Sequence, residues 1–317
     1  MSVFQVGIFY AITTGLCWAV LAIGLKYALH FASTSTIIWF RLFTATVGLV
    51  GYYVYRSLVR EKSLRQLKKL FWPPPLKLVL AGLFISCNYF GYMHGLELTS
   101  ASNAQIMIQV GPLSLLLVGV FYFREKLCWQ QAAGIALAIC GFALFNWDQV
   151  LVALEKSDVY IAGNIWIFFA AITWVVFATL QKMQIAKADW TPQETNAVIY
   201  FVSMIALTPN AHFNELRPLN FWQWLLMISL GVNTIVAYGA FAEALQRVPA
   251  SMVSLIISIN PLITLALIAL IGYFGLTFIS PEPIMWRGYL GASFVASGVA
   301  IAVSMRKGTR TIVVPTK

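Results

Sequence analysis

The sequence predicts an all-α integral membrane protein of ten transmembrane helices, arranged as two five-helix repeats of inverted topology. Three observations carry that expectation: apolar residues fall in runs of bilayer-spanning length, basic residues fall between the runs, and the two halves of the chain resemble each other. Of 317 residues, 60% are hydrophobic and only 10% charged, against about a quarter charged in a soluble domain. An ordinary soluble enzyme is thereby excluded.

The first run, 4–29, begins without a basic leader and is too long for the core of a signal peptide, so it is read as a retained span. The second, 35–56, ends at Arg56 and the basic stretch behind it. Pro73-Pro74-Pro75 then breaks the chain before the third run, 77–98. Only Thr99 and Ser100 separate that run from the fourth, 101–123, which predicts a tight antiparallel hairpin. Runs at 128–147, 160–182, 192–209, 220–245, 250–276 and 285–305 complete the set. Each has the roughly 18 to 26 residues that a helix needs to cross about 30 Å of hydrocarbon.

Lysine and arginine set the orientation, because basic loops resist translocation. With a cytoplasmic amino terminus, the inner side holds Arg56, Arg60, Lys62, Arg65, Lys68, Lys69, Lys77, Arg124, Lys126, Lys182, Lys187, Arg247 and the tail's Arg306, Lys307, Arg310 and Lys317. Lys26, Lys156, Arg217 and Arg287 are left outside. Both termini are therefore expected in the cytoplasm, and the chain in the plasma or inner membrane. The net charge of +10 is explained by these loops, so no nucleic-acid partner is expected. The run from Arg56 to Lys69 is expected to touch anionic lipid.

The halves align in three blocks. Gly7, Trp18, Ala22 and Lys26 fall on Gly163, Trp174, Ala178 and Lys182 at one offset; Tyr89, Ala101, Ser102 and Pro112 fall on Tyr238, Ala250, Ser251 and Pro261 at a second. After a short insertion, Glu125, Trp129, Gly134 and Gly141 meet Glu282, Trp286, Gly291 and Gly298. An odd number of spans per copy makes the second enter the membrane from the opposite side. The expected divisions are 1–147 for the first repeat, 148–159 for a linking loop, 160–305 for the second repeat and 306–317 for a basic cytoplasmic tail. Inverted repeats can exchange conformations and open a central site to alternate sides.

The halves resemble the EamA domain of the drug/metabolite transporter superfamily. The likeness covers nearly the whole chain and is carried by Tyr92 to Pro112 with its Ser100-Ala101-Ser102 turn, by the echo from Tyr238 to Pro261, by Glu125 after the fourth span, and by Arg41, whose repeat mate is Ala197. The second copy departs from the pattern at Pro249-Ala250-Ser251 and in the insertion before Glu282. The resemblance implies a 5+5 transporter and leaves the substrate open.

Polar side chains within spans are costly unless they face protein or water, so each is a candidate for function as well as for helix packing. Ser102, Gln105, Gln109 and Pro112 share one stripe of the fourth span; Ser251, Ser254, Ser258 and Pro261 repeat it in the ninth. Two walls of a shared cavity are expected there. Pro112 and Pro261 are read as gating bends. Trp18 and Trp174 lie at mid-span, away from the interfacial belt, and are candidates for aromatic cavity walls or for packing, with Tyr92 and Tyr238 beside them. Asn88 and Asn233 serve equally as pocket groups or interhelix bonds. His94 and Glu243 occupy equivalent positions and are candidate coupling groups. Arg41 is expected near the outer boundary, where snorkelling competes with contact to a substrate carboxylate.

A secondary transporter or facilitator for a small organic solute, such as an amino acid, amine, vitamin, nucleoside or drug-like molecule, follows as the expected function. A membrane-embedded enzyme acting on a small or lipidic substrate, or a channel, are the alternatives. The sequence has no P-loop, HExxH motif or Gly-x-Ser-x-Gly elbow. Cys17, Cys87, Cys128 and Cys140 lack ligand spacing, so neither a metal nor a cofactor is expected, and the assembly is read as monomeric.

Overall fold

In a computed structural model, residues 2–59, 73–155, 158–187, 189–274 and 286–304 are described. Among them there are helices and turns but no strand. The α-helices are α1 (Val3–Ala28), α2 (Thr34–Val59), α3 (Leu76–Leu98), α4 (Ala101–Met107), α5 (Val110–Phe121), α6 (Trp129–Glu155), α7 (Asp158–Ile185), α8 (Pro192–Leu207), α9 (Phe221–Arg247), α10 (Ala250–Ile257), α11 (Asn260–Tyr273) and α12 (Trp286–Ser304). The basic stretch 60–69, Glu282 and the tail 306–317 lie outside the described residues.

Helix starts follow local chemistry. Ser2 with Gln5, Thr191 with Glu194, and Asn220 with Gln223 each form a reciprocal capping box, and Pro192 occupies the first turn of α8, where a missing N–H costs nothing. The faces then sort by size. On α1 the buried positions include Gly7, Ala11, Gly15, Ala19 and Ala22, whereas Phe9, Ile12, Leu16 and Val20 are exposed. A helix that is apolar all round, with small residues inward and large ones outward, suits lipid outside and close helix approach inside. Seven described segments, α4–α5 and α10–α11 each counted as one, are long and apolar enough to cross a membrane, and Trp129–Leu144 is a shorter apolar stretch within α6.

Two expected spans are interrupted. The run 101–123 breaks between α4 and α5, and 250–276 breaks between α10 and α11. Pro112 has no N–H for the Ile108 carbonyl, and the chain tightens through Gln109 N–H to Ile106 O (3.1 Å) and Gly111 N–H to Ile108 O (2.9 Å). Before Pro261, Ile259 N–H donates to Ile256 O (3.3 Å) in the same way. The linking segment also differs from expectation: α6 runs on to Glu155, through positions placed in the 148–159 loop. Its last eight residues contain neither glycine nor proline, so nothing local ends the helix.

Helices pair across the halves. α1 packs on α9 and α3 on α7; α2 packs on α9 and α8 on α3; α5 packs on α7 and α11 on α1; α6 packs on α12. At the last interface a Cβ on Gly134 would stand 2.7 Å from the Gly298 carbonyl oxygen, and one on Gly141 would stand 2.7 Å from that of Gly291. Only glycine permits that approach.

Candidate functional site

A cavity lies between the halves. From the first half α1 contributes Trp18, Leu21 and Leu25, α2 contributes Arg41, and α3 contributes Asn88, Tyr89 and Tyr92. The break between α4 and α5 adds Gln105, Ile108, Gln109 and Pro112. The second half adds Trp174, Tyr238, Ile257 and Asn260.

An aromatic cluster forms one wall. The Trp18 ring meets Trp174 edge-on at 5.8 Å and Tyr238 at 5.3 Å, and Tyr89 meets Tyr238 at 5.7 Å. The cavity's amides are tied to backbone: Gln105 Nε2 donates to Trp18 O (3.2 Å), Asn88 Nδ2 to Ala170 O (2.8 Å) and Gln109 Nε2 to Gln105 O (3.3 Å). Asn260 Nδ2 donates to Gln105 Oε1 at 3.2 Å, joining the two broken spans. Four polar atoms of the cavity's lining residues are buried and lack a hydrogen-bond partner: Trp18 Nε1, Tyr89 Oη, Tyr92 Oη and Gln109 Oε1.

Arg41 was expected to snorkel at a membrane boundary. Instead it is 2% exposed, with Nε and Nη2 each donating to Thr234 Oγ1 at 3.2 Å and the guanidinium 5.1 Å from the centroid of the Tyr89 ring. Packing of α2 against α9 draws it inward.

Thus Trp18, Arg41, Asn88, Tyr92, Gln105, Gln109, Pro112, Trp174 and Tyr238 converge on one space. Other candidates do not. Asn233 donates to Cys17 O (3.0 Å) and Ser258 to Leu255 O (2.7 Å), while Ser254 and Pro261 are buried away from the cavity lining. His94 lies 3.6 Å from Glu97 and packs on Phe90 and Trp166, and Glu243 pairs with Arg247 and accepts from Gln193 (3.3 Å). Sequence reasoning passed over Tyr89 and Asn260 as wall residues. Their signals were the tyrosine pair at one repeat offset and an amide directly before Pro261.

The ends of the bundle differ. In the turn after α5, Glu125 accepts from Lys182 Nζ (2.6 Å), Ala250 N–H (2.7 Å), and both Ser251 N–H (2.9 Å) and Oγ (2.7 Å), so it caps α10 across the halves. Burial pushes this carboxyl up, but Lys182 and the Ser251 hydrogen bonds outweigh it and hold it below its ordinary value. At the other end Lys26, the sequence mate of Lys182, donates to the carbonyls of Leu96 (2.7 Å) and Thr99 (2.7 Å). There Glu215 accepts from Ser33 N–H and Oγ, both at 2.8 Å, tying the α1–α2 turn to the α8–α9 loop.

A largely apolar, aromatic-walled cavity with a few polar groups, within a bundle of bilayer-length apolar helices, is the architecture of a multi-pass membrane carrier. The chain belongs to the EamA-like transporter family, which it matches twice, over residues 5–147 and 161–304. It is 31% identical over 293 residues to the uncharacterized inner membrane transporter YhbE of Escherichia coli K12, covering 92% of this chain and 89% of that one. An uncharacterized transporter of Haemophilus influenzae is 30% identical over 298 residues, covering 93% and 94%. A solved crystal structure superimposes with a TM-score of 0.67 at 20% identity, covering 95% of this chain and 97% of the other, and shares the fold. The protein is a membrane transporter of the EamA type.

Proposed function

We propose that the protein carries a small organic solute across the cytoplasmic membrane by alternating access, with ten spans forming two inverted five-helix repeats and both termini in the cytoplasm. The observation that carries this reading is a cavity walled by both halves and latched at one end by Glu125. Paired contacts support the symmetry. The α1–α9, α2–α9 and α11–α1 contacts have counterparts in α7–α3, α8–α3 and α5–α7 with the roles of the halves exchanged, and Gly134–Gly298 mirrors Gly141–Gly291.

Cavity residues of α1 lie in its second half, Arg41 lies early in α2, and Asn88 to Tyr92 lie late in α3. The cavity is therefore displaced toward the α1–α2 turn, away from the latch. In the proposed orientation, with Arg56, Lys77, Arg124, Lys126 and Lys182 on the inner side, this conformation faces outward and is closed inward. Rocking of the halves would release Glu125 and reverse the access.

Impermeant thiol labelling in intact cells tests the topology in a variant stripped of its native cysteines. Ser57→Cys is expected to stay unlabelled and Asn214→Cys to label; the reverse pattern overturns the orientation. Counterflow in proteoliposomes against a panel of organic acids, amino acids, amines, nucleosides and vitamins tests transport. Exchange of none of them removes the carrier reading for those classes.

A further inference from the structure

We propose that Arg41 is the anchor for a carboxylate, and that the solute is an organic monoanion whose apolar or aromatic body lies against Trp18 and Trp174. The inference rests on the transport reading and names the substrate class of the same cavity.

The argument begins with an uncompensated charge. Arg41 is 2% exposed, and an arginine cannot discard its proton when buried. A buried cation costs several kcal/mol unless an anion or a full set of acceptors offsets it. Among the described residues, no carboxylate forms an ion pair with Arg41, and no Asp or Glu lines the cavity. Its hydrogen bonds go to one neutral oxygen, Thr234 Oγ1, whose own proton goes to Leu230 O at 2.9 Å. The Tyr89 ring gives a weak cation–π contact. Two of five N–H donors share a single acceptor, and the fork that remains matches a carboxylate.

Nearby unpaired groups have the same sense. Tyr92 Oη and Trp18 Nε1 are buried donors without acceptors, suited to the second carboxylate oxygen or to a carbonyl on the solute. Gln109, 1% exposed, presents Oε1 without a donor, which suits a hydroxyl or N–H on the solute's body. A cationic amine would add to the uncompensated charge and a neutral solute would leave it. A dianion would replace it with the opposite one. Only a monoanion neutralises the cavity.

Thermal stabilisation of the purified full chain measures this directly, since a ligand that binds only the folded state raises its melting temperature. The probes are carboxylates from acetate to phenylpropionate, each set against its amide and its amine at matched millimolar concentration. Carboxylates are expected to stabilise, more strongly with the aromatic members, while amides and amines do not. Arg41→Gln should weaken carboxylate binding about a hundredfold, and Arg41→Lys should retain part of it. Removing a buried charge is often tolerated by the fold, and the unliganded melt of each variant reports folding separately. Equal shifts from amides, no shift from any carboxylate, or an undiminished shift in a folded Arg41→Gln protein would each overturn the assignment. Arg41-dependent binding without counterflow would refute transport while leaving the site standing. Counterflow of amines or neutral solutes that survives Arg41→Gln would refute the site while leaving transport standing.

Discussion

Residues 5–147 supply Trp18, Arg41, Asn88, Tyr92, Gln105 and Gln109 to the cavity, whereas residues 161–304 supply Trp174, Tyr238, Ile257 and Asn260. At the aligned positions of the second half, Arg41 becomes Ala197, Asn88 becomes Ala237, Tyr92 becomes Phe241, and Gln105 and Gln109 become Ser254 and Ser258. Positions that set packing, such as the paired tryptophans, the glycines of α6 and α12 and the mid-span prolines, are the same in both. The two halves thus share a scaffold while the first holds most of the polar chemistry. Packing must suit both members of each matched helix pair, but a solute is held by one constellation of side chains, and nothing requires that constellation to be symmetric.

The sharpest way to break this comparison is at the ends of the bundle. Glu125→Ala leaves Lys182 buried without its anion, and we expect destabilisation of about 3 kcal/mol, read as a lower melting temperature. Lys26→Met removes bonds to neutral carbonyls and should cost no more than about 1 kcal/mol. Equal losses would show that the ends are equivalent. The latch also predicts a pH dependence. Because the folded Glu125 carboxyl is held below its ordinary value of 4.5, its contribution is complete above that value and is lost as pH falls through the lowered one. Melting curves between neutral and acid pH should show this loss in the wild type and not in Glu125→Ala.

Inside the cavity the expected effect is about tenfold. Gln109→Leu removes an amide with a free acceptor and should lower solute affinity by that factor, roughly 1.4 kcal/mol. Ser258→Ala, which deletes a hydroxyl already bonded to Leu255 O, should leave affinity within a factor of two; a comparable loss there would restore a symmetric site. The smallest effect belongs to Glu215. Burial raises its carboxyl, but the Ser33 hydrogen bonds lead a set that brings it below the ordinary value. Its stabilisation likewise fades only as pH falls through that lowered value. Glu215 is half-buried and its loss leaves no buried cation unpaired, so Glu215→Gln should move the melt severalfold less than Glu125→Ala.

The polar wall was legible in the sequence in the first half and misread in the second. Gln105 and Gln109 were marked by their spacing and do face the cavity. The matching stripe through Ser254 and Ser258 was expected to form the second wall by repeat equivalence. The chain turns alike at 108–109 and at 258–259, yet in the second half Asn260, just past the turn, lines the cavity while both serines lie outside the lining. Arg41 was misjudged because its sequence position near a helix start suggests water within reach. Its burial depends on α9 and α3, whose contacting residues Thr234 and Tyr89 are remote in the chain.

The sequence by itself determined that the chain is helical and bilayer-bound. Hydrocarbon forces backbone groups to bond within their own segment, so apolar length, caps and breakers are local and can be read along the chain. Only the tertiary structure decided which side chains meet. The Arg41 contact with Thr234 spans 193 residues and that between Asn260 and Gln105 spans 155, and no local pattern records how far a helix rotates or which neighbour it packs against.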